Sequence, residues 1–229
     1  MKIADISVEL IDHSGSDLSV VNAARVSFDK ESELIPNLNE EDTHPTGWLK
    51  DADVKLIKYL ATHKHLSPFN HAFITMRVKA PIFVARQLQK HEYMPWNEVS
   101  RRYVDSEPEF YIPQTFHMKA EDKKQGSAGH HPLNNMVGNW VKDNTEACLT
   151  EYLDLLQYNV APEEARMVLP QNTMTEWIWS GTLGAWCKML NLRLDGHAQL
   201  ASREVAQKAY VIVKQLFPVS VNALVEVPN

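Results

Sequence analysis

The sequence predicts an α/β (α+β) fold, built as a single helix-rich domain over residues 1–229. A length of 229 residues suits one domain with a core large enough to fold without disulfides. Apolar residues recur at helical spacing over most of the C-terminal half, whereas segments with strand character lie mainly in the N-terminal half. No internal repeat and no linker-like stretch divides the chain, so one domain is expected.

Three segments are predicted to be extended. Residues 3–11 combine β-branched side chains with partial alternation, residues 71–78 form a second strand, and residues 110–113 form a short one. The turn around Gly15 follows the first strand, and Ser16 or Asp17 is placed to cap the next helix.

Helices are predicted between these strands and through the C-terminal half. Prolines mark several boundaries, because Pro81 and Pro162 suit the first turn of a helix and Pro218 ends the last one. Segments 29–48, 94–100 and 114–132 are interpreted as loops, the last of them mobile. The predicted helices cover residues 18–25, 49–63, 82–91, 135–157, 162–169, 173–192 and 197–216.

Composition excludes several functions. The formal net charge of -6 argues against broad binding to nucleic acids or anionic membranes. The two cysteines, Cys148 and Cys187, form no Cys-x-x-Cys pair and fit a reducing cytoplasm. Charged residues are interspersed among the apolar ones in the first ten positions, which is not the pattern of a signal peptide. No apolar run approaches the roughly 20 residues that span a bilayer. We therefore expect a cytoplasmic protein without nucleic-acid or membrane partners.

The segment 86–102 concentrates chemistry-bearing side chains, with four cations, two carboxylates, a histidine and amides. At helical spacing, Arg86 shares a face with Lys90, and Gln87 shares a face with His91. Ser100 and Arg102 follow in a loop, where they suit an oxyanion such as a phosphate. The alternative is a solvated helix end, but the apolar residues 81–85 before it favour the lining of a cavity.

Two further arginines are candidates. Arg193 lies at a junction between two long helices, where it either binds an anion or forms a surface salt bridge with Asp195. Arg166 is either a ligand-binding cation or the i, i+3 partner of Glu163.

Metal and nucleophile chemistry receive little support. His63, His65 and His71 lack the i, i+4 spacing of a helical ligand pair, so no metal site is predicted. Cys187 follows Trp186 in an apolar helix and is interpreted as a buried structural thiol.

The motifs resemble those of the flavin-dependent thymidylate synthases. That family's signature is Arg-His-Arg, seven residues, then Ser, and Lys90-His91-Glu92 with Ser100 keeps its frame. Seven other blocks match in the family's order and cover most of the chain, at 23–28, 67–71, 78–87, 97–103, 109–113, 165–170 and 190–199.

The resemblance implies a function, a fold and a site. It implies a central, mostly antiparallel sheet and a homotetramer in which each active site draws on several subunits. The activity would be methylation of dUMP to dTMP with FAD as cofactor and with NADPH and methylenetetrahydrofolate as co-substrates, and Arg193 would activate the pyrimidine. The residues implied to bind dUMP are Gln87, Lys90, Glu98, Ser100, Arg102 and Arg166. Those implied to border FAD are Ser27, Ser67, Asn70, His91, Glu92, Tyr93 and Lys188.

Departures from the family pattern cluster on the flavin side. Lys90 and Glu92 replace arginines, Asn70 replaces a glutamate, and 182–184 reads Thr-Leu-Gly where the family has Asn-x-Arg. Arg101 is a candidate to balance the charge of Glu92. These changes leave two alternatives open, a flavin-dependent pyrimidine nucleotide hydroxymethylase and a nucleotide-binding relative without catalysis.

Overall fold

The computed structural model describes residues 1–36, 47–121 and 127–226. At its centre lies a four-stranded antiparallel sheet, which confirms the arrangement that the family resemblance implied. The strands, in sheet order, are β2 (Ser7–Ser14), β3 (Phe73–Pro81), β8 (Met174–Thr182) and β4 (Trp96–Glu98).

Short strands flank this sheet. The single strand predicted at 3–11 is two elements, because β1 (Lys2–Ile3) leaves the central sheet and pairs in parallel with β5 (Glu109–Phe110). The prediction of a mobile loop at 114–132 is wrong for the residues that the structure describes there, since β6 (His117–Lys119) and β7 (Ser127–His130) form an antiparallel pair. Residues 122–126 of that loop, and 37–46 of the loop predicted at 29–48, lie outside the described residues.

Helices pack on the sheet and beside it. The predictions for 18–25, 49–63 and 135–157 are confirmed to within two residues at each end. The helices are α1 (Asp17–Arg25), α2 (Asp51–Thr62), α3 (Ile82–Leu88), α4 (Asn134–Gln157), α5 (Pro162–Ala165), α6 (Leu183–Leu194), α7 (Leu200–Leu216) and α8 (Pro218–Leu224).

The helix predicted at 173–192 is wrong in its first half, which forms β8. Trp177, Trp179 and Gly181 are buried in alternation, the period of a strand with one face on the core. Aromatic and β-branched residues favour this pleated surface, and pairing with β3 on one side and β4 on the other satisfies the backbone. The helix starts only at α6, where the Thr182 hydroxyl accepts a hydrogen bond from the Ala185 amide at 3.2 Å.

Other boundaries also differ from prediction. The helices predicted at 82–91 and 162–169 end early, at Leu88 and Ala165, and the one predicted at 197–216 begins at Leu200. The loop predicted at 94–100 contains β4, which pairs with β8 along Trp96 to Glu98. Pro218 does not only end a helix, since it also opens α8 at the position where a missing N–H costs nothing.

The core lies between the sheet and helices α6 and α7. Trp177, Trp179 and Trp186 are almost fully buried there, and the Trp186 indole donates to the Ile74 carbonyl at 3.2 Å. Cys187 is 2% exposed, and burial raises the pKa of its thiol to about 12, so the prediction of a structural cysteine is confirmed. This packing holds α3 and the C-terminal end of α6 beside each other at one edge of the sheet.

Candidate active site

A polar cavity of about 970 Å³ opens between α3, the segment after β4 and the 3₁₀ helix Arg166–Val168. Four of the six predicted nucleotide-binding residues line it, namely Glu98, Ser100, Arg102 and Arg166. Gln87 and Lys90 do not. We use the name cavity cluster for Glu98, Ser100, Arg102 and Arg166 together with the other arginines that line the cavity.

Arginines dominate the charge of the cavity cluster. Arg86, Arg101, Arg102 and Arg166 line the cavity and have no carboxylate within ion-pair distance among the described residues. The two lysines of the lining are neutralised, Lys2 by Glu107 at 3.4 Å and Lys79 by Glu109. Four uncompensated guanidinium groups in one open cavity make a site for an anion that carries several oxygens, such as a phosphate.

Local structure fixes the remaining groups of this cluster. The Arg102 Nε donates to the Ser100 hydroxyl at 3.1 Å, and the Glu98 carboxylate accepts from the Thr175 hydroxyl at 2.7 Å. Arg166 Nε donates to the Glu163 backbone carbonyl at 3.1 Å, so the predicted i, i+3 ion pair with the Glu163 carboxylate is wrong.

A second group, the Arg193 cluster, forms where α6 ends against α3. Arg193 Nε donates to His91 Nε2 at 3.0 Å, and a terminal NH2 group donates to the Gln87 carbonyl at 3.3 Å. The predicted salt bridge from Arg193 to Asp195 is wrong, since Asp195 pairs with His197 at 2.9 Å instead. These bonds occupy two of the five N–H groups of the guanidinium and leave three as donors for a ligand.

Burial sets the protonation of this cluster. Burial, and to a smaller extent the charges of Arg193 and Lys188, lower the pKa of His91 to about 4. His91 is therefore neutral at physiological pH, with Nε2 accepting from Arg193 and the proton on Nδ1. Burial also lowers the pKa of Arg193.

Helix α3 separates the two clusters. Ile82, Ala85 and Arg86 face the cavity at i, i+3 and i+4 spacing. Gln87 points to the other side, toward α6 and α7, and His91 follows it four residues later. The prediction that Gln87 and His91 share a helix face is wrong, because α3 ends at Leu88. His91 and the Gln87 backbone carbonyl nevertheless contact the same residue, Arg193.

Comparison with known proteins identifies the chain. A sequence profile for the family described as "Thymidylate synthase complementing protein" matches residues 9–219. Relatives named "Flavin-dependent thymidylate synthase" share about a third of their residues with this chain over most of its length. The chain belongs to the flavin-dependent thymidylate synthase family.

Two of these relatives illustrate the match. The enzyme of Treponema denticola is 35% identical over 218 residues, covering 93% of this chain and 76% of the relative. That of Thermotoga neapolitana is 38% identical over 209 residues, covering 90% and 83%. Among solved structures, the UMP/dUMP methylase PolB of Streptomyces cacaoi bound with 5-Br dUMP has a TM-score of 0.82 and 31% identity, covering 97% of this chain and 96% of its own.

Members of the flavin-dependent thymidylate synthase family use a flavin, and the residues predicted to border it offer a polar surface. Ser67, Lys188 and Tyr93 are exposed, as is the hydroxyl-bearing Ser27 of the 3₁₀ helix Val26–Phe28. Ser67 belongs to the 3₁₀ turn Ser67–Asn70, which packs against α6, and Lys188 is on α6 itself, so a hydroxyl and a cation are offered at this helix. A helix N-terminus with a lysine one turn further on suits the diphosphate of a flavin dinucleotide. The residues present therefore fit the cofactor.

The departures on the flavin side are compensated within the chain. Asn70 Oδ1 accepts from the Thr182 hydroxyl at 2.9 Å and lies 2.6 Å from where a Cβ at Gly184 would be. Asn70 thus fills the space beside Gly184. Glu92 pairs with Lys188 at 3.8 Å, rather than with Arg101, which donates to the Ser106 carbonyl.

Sequence reasoning did not single out Ser202. It is buried on α7, and its hydroxyl donates to the Gln87 side-chain oxygen. Nothing in its local sequence distinguishes it from other helical serines, because only the packing of α7 on α3 brings it to Gln87.

Proposed function

We propose that the protein is a flavin-dependent thymidylate synthase that methylates dUMP to dTMP, with FAD as cofactor, methylenetetrahydrofolate as one-carbon donor and NADPH as reductant. The observation that carries the proposal is the cavity with four uncompensated arginines, in a chain of this family. The relative with the matching fold is named a UMP/dUMP methylase and was solved with a brominated nucleotide. The cytoplasm, where the two free thiols of this chain stay reduced, is the proposed location.

The cavity cluster supplies recognition of the nucleotide's anionic end. Arg102 and Arg166 present planar N–H groups that match phosphate oxygens, and Ser100 adds a hydroxyl donor. Glu98 is an acceptor, so it suits a sugar hydroxyl or a ring N–H rather than the phosphate.

The Arg193 cluster supplies electrostatic activation of the pyrimidine. His91 and the Gln87 carbonyl hold the guanidinium of Arg193. The orientation of its three remaining N–H groups is therefore set by the protein rather than by solvent. Such a preorganised cation stabilises negative charge that develops on the uracil ring, as ionisation at N3 would produce. No enzyme thiol is needed, which agrees with Cys187 being buried and protonated.

The flavin supplies the reducing equivalents that convert the transferred one-carbon unit into a methyl group. The chain's part is to hold it, and the proposed contacts are Ser27, Ser67, Asn70, His91, Glu92, Tyr93 and Lys188. Lys188 offers a cation to the diphosphate, while Asn70 offers its amide N–H groups because Thr182 already occupies its oxygen.

The separation of the two clusters supports a shared active site. Four of the residues proposed to hold one nucleotide line the cavity on one side of α3, whereas Gln87 and Arg193 meet on its other side. An α-helix with its side chains is about 10 Å across. One nucleotide reaches both sets if the cavity cluster of one subunit meets the Arg193 cluster of another. This supports the homotetramer that the family resemblance implied.

The test is a product assay on the purified full-length chain. Incubation with dUMP, methylenetetrahydrofolate, NADPH and FAD is expected to yield dTMP, identified by mass spectrometry, with NADPH bleaching a bound flavin. A hydroxymethyl nucleotide as the product would favour the hydroxymethylase instead. A protein that gains no flavin spectrum and releases no product would favour the non-catalytic relative, and a parallel reaction with UMP measures discrimination at the sugar.

A further inference from the structure

Ser202 is a fully buried serine whose hydroxyl is directed at one of the proposed nucleotide-binding side chains. It lies in the first turn of α7 at 0% exposure, and its Oγ donates a hydrogen bond to Gln87 Oε1. Gln87 is only partly buried, so its amide spans the boundary between the core and the site. The contact therefore connects a buried residue to one that the proposed function assigns to the nucleotide.

This contact determines which end of the Gln87 amide is free. With Oε1 occupied by Ser202, the amide N–H groups of Nε2 remain, and no acceptor for them occurs in the described part of the chain. A uracil carbonyl is the complementary acceptor. The amide is thus presented as a donor rather than as an acceptor.

Reversing the amide would take away the acceptor that the buried Ser202 hydroxyl now uses. Nε2 would then donate to Ser202, whose own hydroxyl proton would need a different acceptor. The observed orientation satisfies this hydroxyl with the bond that it already makes to Oε1. Buried donors without partners are disfavoured in folded proteins, so the observed orientation is preferred.

Gln87 also holds Arg193. The Gln87 backbone carbonyl accepts from the Arg193 guanidinium at 3.3 Å, while its side chain is held by Ser202. Ser202, Gln87 and Arg193 therefore form one connected set that reaches from the core to the proposed pyrimidine site.

We infer that Ser202 is a positioning residue that fixes the Gln87 amide with its N–H groups toward the pyrimidine of the nucleotide. The inference rests on the proposed function, because it takes dUMP as the ligand of Gln87. Ser202 itself touches no ligand and acts only through Gln87.

The experiment is a double-mutant cycle on dUMP affinity, measured by titration calorimetry on the full-length protein without folate or NADPH. Ser202→Ala is expected to weaken dUMP binding about five- to tenfold, and Gln87→Ala to weaken it further. In the Gln87→Ala background, adding Ser202→Ala is expected to change the affinity less than about twofold, because the residue through which it acts is gone.

Two further variants separate positioning from stability. Ser220→Ala removes another serine at 0% exposure, on α8, and is expected to leave dUMP affinity unchanged. Gln87→Glu keeps an acceptor for Ser202 but removes the N–H donors, so its affinity is expected to fall at least as far as in Gln87→Ala.

The outcomes separate the two proposals. Wild-type protein that does not bind dUMP would overturn the proposed function and this inference with it. Wild-type protein that binds dUMP, with Ser202→Ala binding equally well or with the two substitutions acting independently, would overturn the inference alone. Thermal unfolding followed by circular dichroism checks that each variant is folded at the temperature of the titration.

Discussion

The two clusters on either side of α3 hold their cations in opposite ways. In the cavity cluster, Arg102 and Arg166 are exposed and have no carboxylate partner within the described residues. In the Arg193 cluster, the guanidinium is partly buried and fixed by a neutral histidine and a backbone carbonyl. Exposed charges attract an anion over a distance and are screened by salt, whereas a held charge acts on one atom at a fixed place. Under the proposed function, this difference assigns capture and activation of a nucleotide to different surfaces of the chain.

The largest effect is expected from Arg193→Ala. Loss of the preorganised guanidinium is expected to lower kcat about 100- to 1000-fold, while the fold stays intact because the side chain lies at the partly exposed end of α6. Steady-state kinetics and circular dichroism measure both quantities. Arg193→Lys keeps a charge but not the planar donors, so it is expected to recover little. If turnover is unchanged in Arg193→Ala, the Arg193 cluster does not have the activating role that distinguishes it from the cavity cluster.

A smaller effect, on affinity rather than on turnover, is expected from Arg102→Ala. Removing one exposed cation from the cavity is expected to raise the KM for dUMP about tenfold and to weaken its dependence on salt. The matched control is Lys2→Ala, which removes a cavity lysine that Glu107 already neutralises. Equal effects of the two substitutions would contradict the assignment of anion binding to the uncompensated arginines.

The pH dependence of the free energy of unfolding tests the neutral state of His91 in the Arg193 cluster. The pKa of His91 is lowered to about 4 from an ordinary value near 6.5, so the unfolded chain binds a proton that the folded chain does not between those values. The contribution of neutral His91 is fully present above about pH 6.5 and is lost as the pH falls toward 4. Because the ring is partly exposed, we expect this loss to be about 1 kcal/mol. The free energy of unfolding of His91→Gln should lack this component between pH 6.5 and 4, and an identical profile would refute the buried, neutral state.

The smallest effect concerns Lys188, which lowers the pKa of His91 through space while paired to Glu92. Lys188→Met is expected to raise the His91 pKa by about a few tenths of a unit, because an exposed charge is strongly screened. Proton NMR of the His91 ring follows the titration. The same titration in Arg166→Ala, across α3, is expected to be unchanged, and a shift of similar size there would mean that the two clusters are electrostatically one.

Sequence patterns located these clusters better than they located the sheet. The segment 86–102 was singled out by its local composition, and the structure places Arg86, Ser100 and Arg102 at one cavity. The helix face expected for Gln87 and His91 is not formed, because α3 ends at Leu88. The strand β8 was missed because a true helix follows it without a break, and because its apolar residues at 177–179 are adjacent and show no alternation in the sequence. Pairing with β3, far away in the sequence, decides in favour of the strand.

The parts of the site that sequence did not predict depend on tertiary packing. The proposed partner of Glu92 was Arg101, nine residues away, but the structure pairs Glu92 with Lys188 on α6. The contact between Ser202 and Gln87 likewise joins two helices far apart in the chain. No periodicity or motif contains that information, because both residue types are common on helices and only the fold brings them together.

The close contact between Asn70 and Gly184 has a consequence for how this chain could change over generations. The Asn70 side chain, held by Thr182, lies 2.6 Å from the point where any larger residue at 184 would place its first carbon. A lineage that regained arginine at 184 would need Asn70 to break its bond to Thr182 and turn away first. The order of substitutions therefore matters, and positions 70, 182 and 184 are expected to be inherited as a set.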